Sequence, residues 1–162
     1  MKLAILSDIH DNIWKLEKAL LKCGTADATI FCGDFCAPFT LKQLAVYSDK
    51  PLHAVFGNND GDRFLLTQIA ANFHHVTLYS EFAKLELGGL KIAINHYPKI
   101  AHEIASNGNY DVVFYGHDHQ HYISKIGKTD LINPGEIMGR FGKSTFVMYD
   151  TTERSCETIT VS

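Results

Sequence analysis

Five times along this chain a short run of core-forming residues stops abruptly at aspartate, asparagine or histidine. This repetition constrains the fold more than any other feature. Leu3-Ala4-Ile5-Leu6 runs into Ser7-Asp8-Ile9-His10, and Ile30-Phe31 into Cys32-Gly33-Asp34. Ala54-Val55-Phe56 runs into Gly57-Asn58-Asn59-Asp60, Ile92-Ala93-Ile94 into Asn95-His96, and Val112-Val113-Phe114-Tyr115 into Gly116-His117-Asp118-His119. The runs lack the apolar–polar alternation of a half-exposed strand, so they read as strands buried in a parallel sheet. Open sheets of that kind hold ligands at the carboxyl ends of their strands. Three of the five place a glycine directly before the polar residue, where the backbone must turn or pass close to another group.

Helical spacing fills the intervals. Residues 13 to about 23 predict a helix with Asn12 as N-cap, Ile13, Leu16, Leu20 and Leu21 on one face, and Gly24 at its C-terminal stop. Pro38 opens a second predicted helix, 63–71 reads as a third, and a fourth runs from Pro98 to about Asn107. Strand, helix, strand, helix at this spacing is the α/β pattern. The second half is richer in predicted strands: 77–79, 82–87 and 90–95 (the last two around Gly88-Gly89), 111–115, 122–126, 130–132, 144–150 and 156–161. The last four look antiparallel. With no internal repeat or linker, the expectation is one mixed α/β domain over residues 1–162, two sheets packed face to face between helices.

Composition excludes several classes. A net charge of −3 argues against a strongly basic surface, so stable nucleic-acid binding is not expected, although a nucleotide substrate is compatible. The apolar run after Met1-Lys2 is too short for a signal peptide, and nothing approaches the ~20 apolar residues that span a bilayer. The expectation is a cytoplasmic protein without membrane association. Cys23, Cys32, Cys36 and Cys156 are too few and scattered for a disulfide framework. Cys32 and Cys36 lack a second pair to complete a zinc site, so all four read as reduced, Cys36 being the least settled because it lies two residues beyond Asp34.

The residue types at the strand ends share a chemistry. Carboxylate, amide oxygen and neutral imidazole suit Mn, Fe, Co, Ni or Zn, and do not suit calcium. Asp34 is the candidate bridge, since one carboxylate can hold two ions ~3.5–4 Å apart. Two divalent ions bring +4, and Asp8 with Asp34 bring −2. A hydroxide and a phosphodiester monoanion would neutralise that remainder, whereas a phosphomonoester dianion would overshoot it.

These motifs resemble those of the calcineurin-like metallophosphoesterase superfamily, in particular its small single-domain prokaryotic phosphodiesterases. The ordered motifs Asp-x-His, Gly-Asp, Gly-Asn-His-Asp/Glu, a lone His and Gly-His-x-His correspond to Asp8-Ile9-His10, Gly33-Asp34, Gly57-Asn58-Asn59-Asp60, His96 and Gly116-His117-Asp118-His119. Asn133-Pro134-Gly135 matches a late turn of the family, so the resemblance spans the chain. It implies a four-layer α-β-β-α sandwich of two mixed sheets and two divalent metal ions, Mn before Fe, Ni, Co or Zn. One ion would sit on Asp8, His10, Asp34 and His119, the other on Asp34, Asn58, His96 and His117. Asp34, Asn58, Asn59 and His96 would carry catalysis, with a metal-bridging hydroxide attacking phosphorus in line. One departure matters: Asn59 stands where many members carry a histidine credited with protonating the leaving oxygen, and an amide cannot do so.

The implied partner is a small phosphodiester, with a nucleotide-derived one in view, and a homodimer is compatible. Two alternatives stand beside it: a non-catalytic protein-interaction scaffold of the same fold, and a phosphomonoesterase or nucleotidase. Among the remaining polar residues, His53, His74 and His75 read as structural or surface groups. His121 reads as an ordinary strand residue, with a supporting role for His119 as the alternative; His102 could face the cleft. Asp60 reads as support for the Asn58 loop, and Asp11, Asn12 and Asp118 as turn or cap residues. Trp14, Tyr47 and Tyr97 are expected in aromatic core or edge packing, with the shaping of a pocket as the alternative, and Arg140 as a solvated charge, with a phosphate contact as the alternative.

Overall fold

The computed structural model describes residues 1–162. Its elements are β1 (Lys2–Leu6), α1 (Ile13–Lys22), β2 (Ala28–Phe31), α2 (Pro38–Tyr47), β3 (Leu52–Ala54), α3 (Arg63–Ala71), β4 (Val76–Leu78), β5 (Phe82–Leu87), β6 (Leu90–Asn95), α4 (Pro98–Ser106), β7 (Val112–Phe114), β8 (His121–Ile126), β9 (Thr129–Pro134), β10 (Thr145–Asp150) and β11 (Ser155–Thr160). One sheet has the order β11-β10-β1-β2-β3-β4 and the other β5-β6-β7-β9-β8. Both are mixed.

Side-chain alternation along the strands builds the layers. Leu3 and Ile5 of β1 point into a core shared with Ile92, Ile94, Val112, Phe114 and Ile132 of the second sheet. Ala4 and Leu6 point the other way, against Leu16, Leu20, Leu41, Leu44 and Leu66 of α1–α3. Ala93, Val113 and Leu131 meet Ala101 and Ala105 of α4 on the far side. The result is the expected four-layer α-β-β-α sandwich. Strands buried on both faces need no alternation in sequence, which is why their runs are continuous.

Pro38 and Pro98 each occupy the first helical turn after an extended residue, and Asn12 caps α1 by accepting from the Lys15 N–H at 3.2 Å. Three expectations shift. Leu21 is exposed, the core face of α1 being Leu16, Ala19 and Leu20. Cys23 ends that helix in the right-handed region, and Gly24 is not a left-handed cap. Of the last four strands only β8 and β11 show any alternation of burial; β9 lies between β7 and β8, runs parallel to β7, and is buried along its whole length. Its central place in the sheet, covered by α4, overrides the local hairpin pattern with β8.

Candidate metal centre

β1, β2 and β3 are parallel in one sheet and β6 and β7 in the other, so their carboxyl ends fall on one edge of the sandwich. The loops leaving them are stitched together. The N–H groups of Asp8 and His10 donate to the carbonyls of Gly33 and Asp34, and the His117 N–H donates to Asp8 Oδ2 at 3.0 Å. Asp60 joins two loops, accepting from the N–H groups of Gly57, Asp34 and Cys36 at 2.7, 3.1 and 2.9 Å. That is the supporting role expected of it. The approach is close enough that a Cβ on Gly57 would lie 2.1 Å from Asp34 Oδ1, and one on Gly116 would lie 2.0 Å from the Ser7 hydroxyl.

Backbone strain concentrates at the same place. Asp8, His10, Asp34, His117 and His119 all have positive φ, between 44° and 78°. Such conformations are uncommon outside glycine and cluster where a site over-determines them.

All seven expected ligands converge. Asp8 Oδ1 is 3.6 Å from His10 Nε2 and 3.6 Å from His119 Nε2. Asp34 Oδ2 is 3.5 Å from His10 Nε2 and 3.4 Å from His96 Nε2. Asn58 Oδ1 closes the set, 3.1 Å from His96 Nε2 and 2.8 Å from His117 Nδ1. Donor atoms of Asp8, His10 and His119 form one group within 4.8 Å, and those of Asp8, Asp34 and His96 another. Asp8 is common to both groups, and Asp34 Oδ2, beside both His10 and His96, faces both halves of the site.

The donor set fits divalent cations. Asp8 Oδ1 and His10 Nε2 are buried polar atoms with no hydrogen-bond partner. Burying such atoms unpaired is costly. Separations of 3.4–3.6 Å are long for hydrogen bonds, yet they are what two atoms ~2.1 Å from one shared cation would show. His96 Nδ1 faces the Cys32 carbonyl at 2.7 Å and His119 Nδ1 faces Glu136 Oε2 at 2.7 Å. Both partners can only accept, so Nδ1 carries the proton and Nε2 is turned inward as a lone pair.

Electrostatics agree with this arrangement. Burial disfavours the Asp34 carboxylate, but His96 and the two Asn59 amides outweigh it and hold the group at about 2. Burial likewise disfavours protonated His10, yet Asp8, Cys36 and Asp34 push it up to about 10. His96 is raised against its burial by Asp34 and Asp8. In the metal-free protein, protons therefore compete for the positions a cation would take.

The structure adds contacts for two of the expected residues, and one was overlooked. Asn59 is turned onto Asp34, its N–H donating to Oδ1 and its Nδ2 to Oδ2, both at 2.8 Å. Tyr97 packs edge-on against the rings of His96 and His117, inside the site. Glu136 carried no motif, yet it is fully buried and orients His119; the only sequence signal was its place directly after Asn133-Pro134-Gly135. Asn133 itself donates to Asp118 Oδ1 and the Gly116 carbonyl, bracing the His117–His119 loop. His121 bonds Thr158 on β11, His102 lies exposed on α4, and Trp14 is exposed in the first turn of α1. Away from this edge, a cavity of about 340 Å³ lies between the C-terminal ends of α1 and α2, lined by residues such as Leu20, Cys23, Leu44 and Leu52 without convergent ligands.

Glu136→Gln is expected to weaken metal affinity about 10–100-fold. An amide can accept from His119 Nδ1 or from the loop N–H groups that bond Oε1, but not from both. Metal titration of the variant by calorimetry measures this; unchanged affinity would assign Glu136 to loop structure alone.

Comparison with known proteins agrees with the geometry. The family model of the calcineurin-like phosphoesterase superfamily domain matches residues 1–154. The chain belongs to that superfamily. Phosphodiesterase MJ0936 of Methanocaldococcus jannaschii is 31% identical over 159 residues, covering 95% of each chain. The solved structure of a novel archaeal phosphodiesterase superposes with a TM-score of 0.91 at 31% identity, over 99% of both chains. Vps29 of Entamoeba histolytica complexed with zinc shares the fold, with a TM-score of 0.71 at 16% identity over the whole of both chains. The superfamily member described here thus carries candidate metal-ligand groups at the edge where the sheets' parallel strands end. No helix is long and apolar enough to cross a membrane.

Proposed function

We propose that this protein is a metal-dependent phosphodiesterase holding two divalent ions, manganese first among the candidates, with Asp34 shared between them. The observation that carries this reading is Asp34 Oδ2, flanked at 3.5 and 3.4 Å by inward-facing imidazole nitrogens from two different loops. Asp8, His10 and His119 complete one side, and Asn58, His96 and His117 the other. Bound ions of this kind act as Lewis acids that lower the pKa of water and neutralise phosphoryl charge.

The chain's own residues set the rest. Asp8 and Asp34 keep the site anionic, and His10, His96 and His119 are each positioned with Nε2 inward. Asn58 and His117 are exposed, so the open side of the site, where a phosphate ester can approach, is theirs. Asn59 clamps the Asp34 carboxylate and offers no proton to a departing oxygen. Activated leaving groups should therefore react well and poor ones slowly. The unbroken set of seven donors supports catalysis over a scaffold role.

With Mn²⁺ added, bis(p-nitrophenyl) phosphate is expected to be hydrolysed with higher kcat/KM than p-nitrophenyl phosphate. The opposite order would overturn the diesterase reading in favour of a monoesterase. Asn59→His is expected to raise turnover of alkyl diesters up to about 10²-fold, the scale of one general acid, while affecting aryl diesters far less. Equal effects on both would remove the leaving-group argument.

A further inference from the structure

Beside His119 lies a cleft of about 450 Å³ between the Gly139–Lys143 loop and the adjoining edges of β8 and β11. We propose that this cleft receives one arm of the diester, and that Phe141 and Lys143 select an arm bearing an aromatic ring together with hydroxyl or phosphate oxygens, as a nucleoside or nucleotide does. The inference rests on the phosphodiesterase reading and adds the substrate class.

Position is the first argument. His119 forms one wall, so the cleft adjoins the proposed metal site through that imidazole. Lining chemistry is the second. Gln120, Lys143, Thr145 and Thr158 supply polar groups, Phe141 is the single apolar side chain, and no carboxylate lines the space. Lys143 and its neighbour Arg140 take part in none of the protein's salt bridges, leaving two uncompensated cations at this rim of a chain whose net charge is −3. Such a wall favours an anionic or hydroxylated guest.

Phe141 supplies the third. Its ring is 70% exposed, an uneconomical place for a phenylalanine, with the Arg140 guanidinium 5.4 Å from its centroid. It is also held in place. The Phe141 and Gly142 N–H groups donate to Glu136 Oε1 at 2.7 and 2.8 Å, while Oε2 of the same carboxylate bonds His119 Nδ1. The ring meets His119 edge-to-face at 5.1 Å. One buried carboxylate thus fixes both a metal-facing imidazole and the backbone that presents an exposed aromatic face. A flat ring can stack there without paying to order the loop.

The experiment compares two Mn²⁺-assayed diesters with the same leaving group: the p-nitrophenyl ester of thymidine 5′-phosphate and methyl p-nitrophenyl phosphate. Wild-type protein is expected to prefer the thymidine ester. Phe141→Ala and Lys143→Ala are each expected to reduce that preference, the ratio of the two kcat/KM values, about tenfold, the size of one base-stacking contact or one charge-assisted hydrogen bond to the nucleoside. Calorimetry with thymidine 5′-phosphate should show a matching tenfold loss of affinity in both variants, whose melting curves confirm folding. Equal kcat/KM losses on both diesters, or no wild-type preference, would overturn the subsite while leaving the phosphodiesterase intact. Hydrolysis of neither diester by wild-type protein would overturn both.

Discussion

Asp34→Asn is expected to lower kcat/KM on an aryl phosphodiester by about 10³-fold or more and to cost the protein both ions together, the upper end of what one preorganised charged group contributes. The substitution is nearly isosteric, so the loss is electronic. Asp34 is 1% exposed and both oxygens are spoken for: Oδ1 accepts from the Asn59 N–H, and Oδ2 faces His10, His96 and Asn59 Nδ2. An asparagine must keep its oxygen toward the Asn59 N–H, which puts its NH₂ where Oδ2 was. That NH₂ then opposes the Asn59 side-chain donor and presents hydrogens to the position a cation would share. The carboxylate, held at about 2, is fully ionised throughout the working range, and the amide carries no charge at all. Metal content by mass spectrometry, read beside the kinetics, separates the possibilities. A variant retaining two equivalents and most of its rate would show that Asp34 is not the bridge.

Much of this arrangement was legible because buried parallel strands advertise themselves twice. Their continuous apolar runs mark the strands, and the abrupt change to Asp, Asn or His marks the ends. Seven candidate ligands could be named for that reason, each lying within five residues of the end of a strand. What stayed hidden depends on contacts between distant segments. Glu136 is a lone acid in a loop, and only the folded chain brings it against His119, 17 residues earlier. The turn of Asn59 onto Asp34 is a contact across 25 residues, invisible to any local pattern. The parallel pairing of β9 with β7 was masked by its hairpin with β8, since one strand can satisfy a local partner on one edge and a distant one on the other. Exposed aromatics such as Trp14 and Phe141 break the burial rule for their type, and sequence offers no way to see which residues will do so.

Removing the metal is expected to abolish activity and to lower the melting temperature by about 5–10 °C relative to protein holding Mn²⁺ at 100 times its Kd. Ligand at that excess contributes about 2.7 kcal/mol, and a domain of this size shifts by about 2–4 °C per kcal/mol. The pH dependence has a definite sign. The raised pKa of His10, about 10 against 6.5, stabilises the metal-free protein below pH 6.5, and that contribution fades as the pH climbs through 10. Asp34, depressed to about 2, contributes above its ordinary value of 3.8 and is lost only as the pH falls toward 2, so it does not vary in this window. A cation must displace the His10 proton, so apparent metal affinity should rise about tenfold per pH unit between pH 6 and 9 from this group alone. The two trends reinforce each other: metal-free protein loses a stabilising charge as pH rises, while metal-loaded protein gains affinity. The gap in melting temperature between the two forms, at fixed total Mn²⁺, should therefore widen from pH 6 to pH 9. A gap that is constant or shrinks over that range would mean that the imidazole of His10 is not where the ion sits.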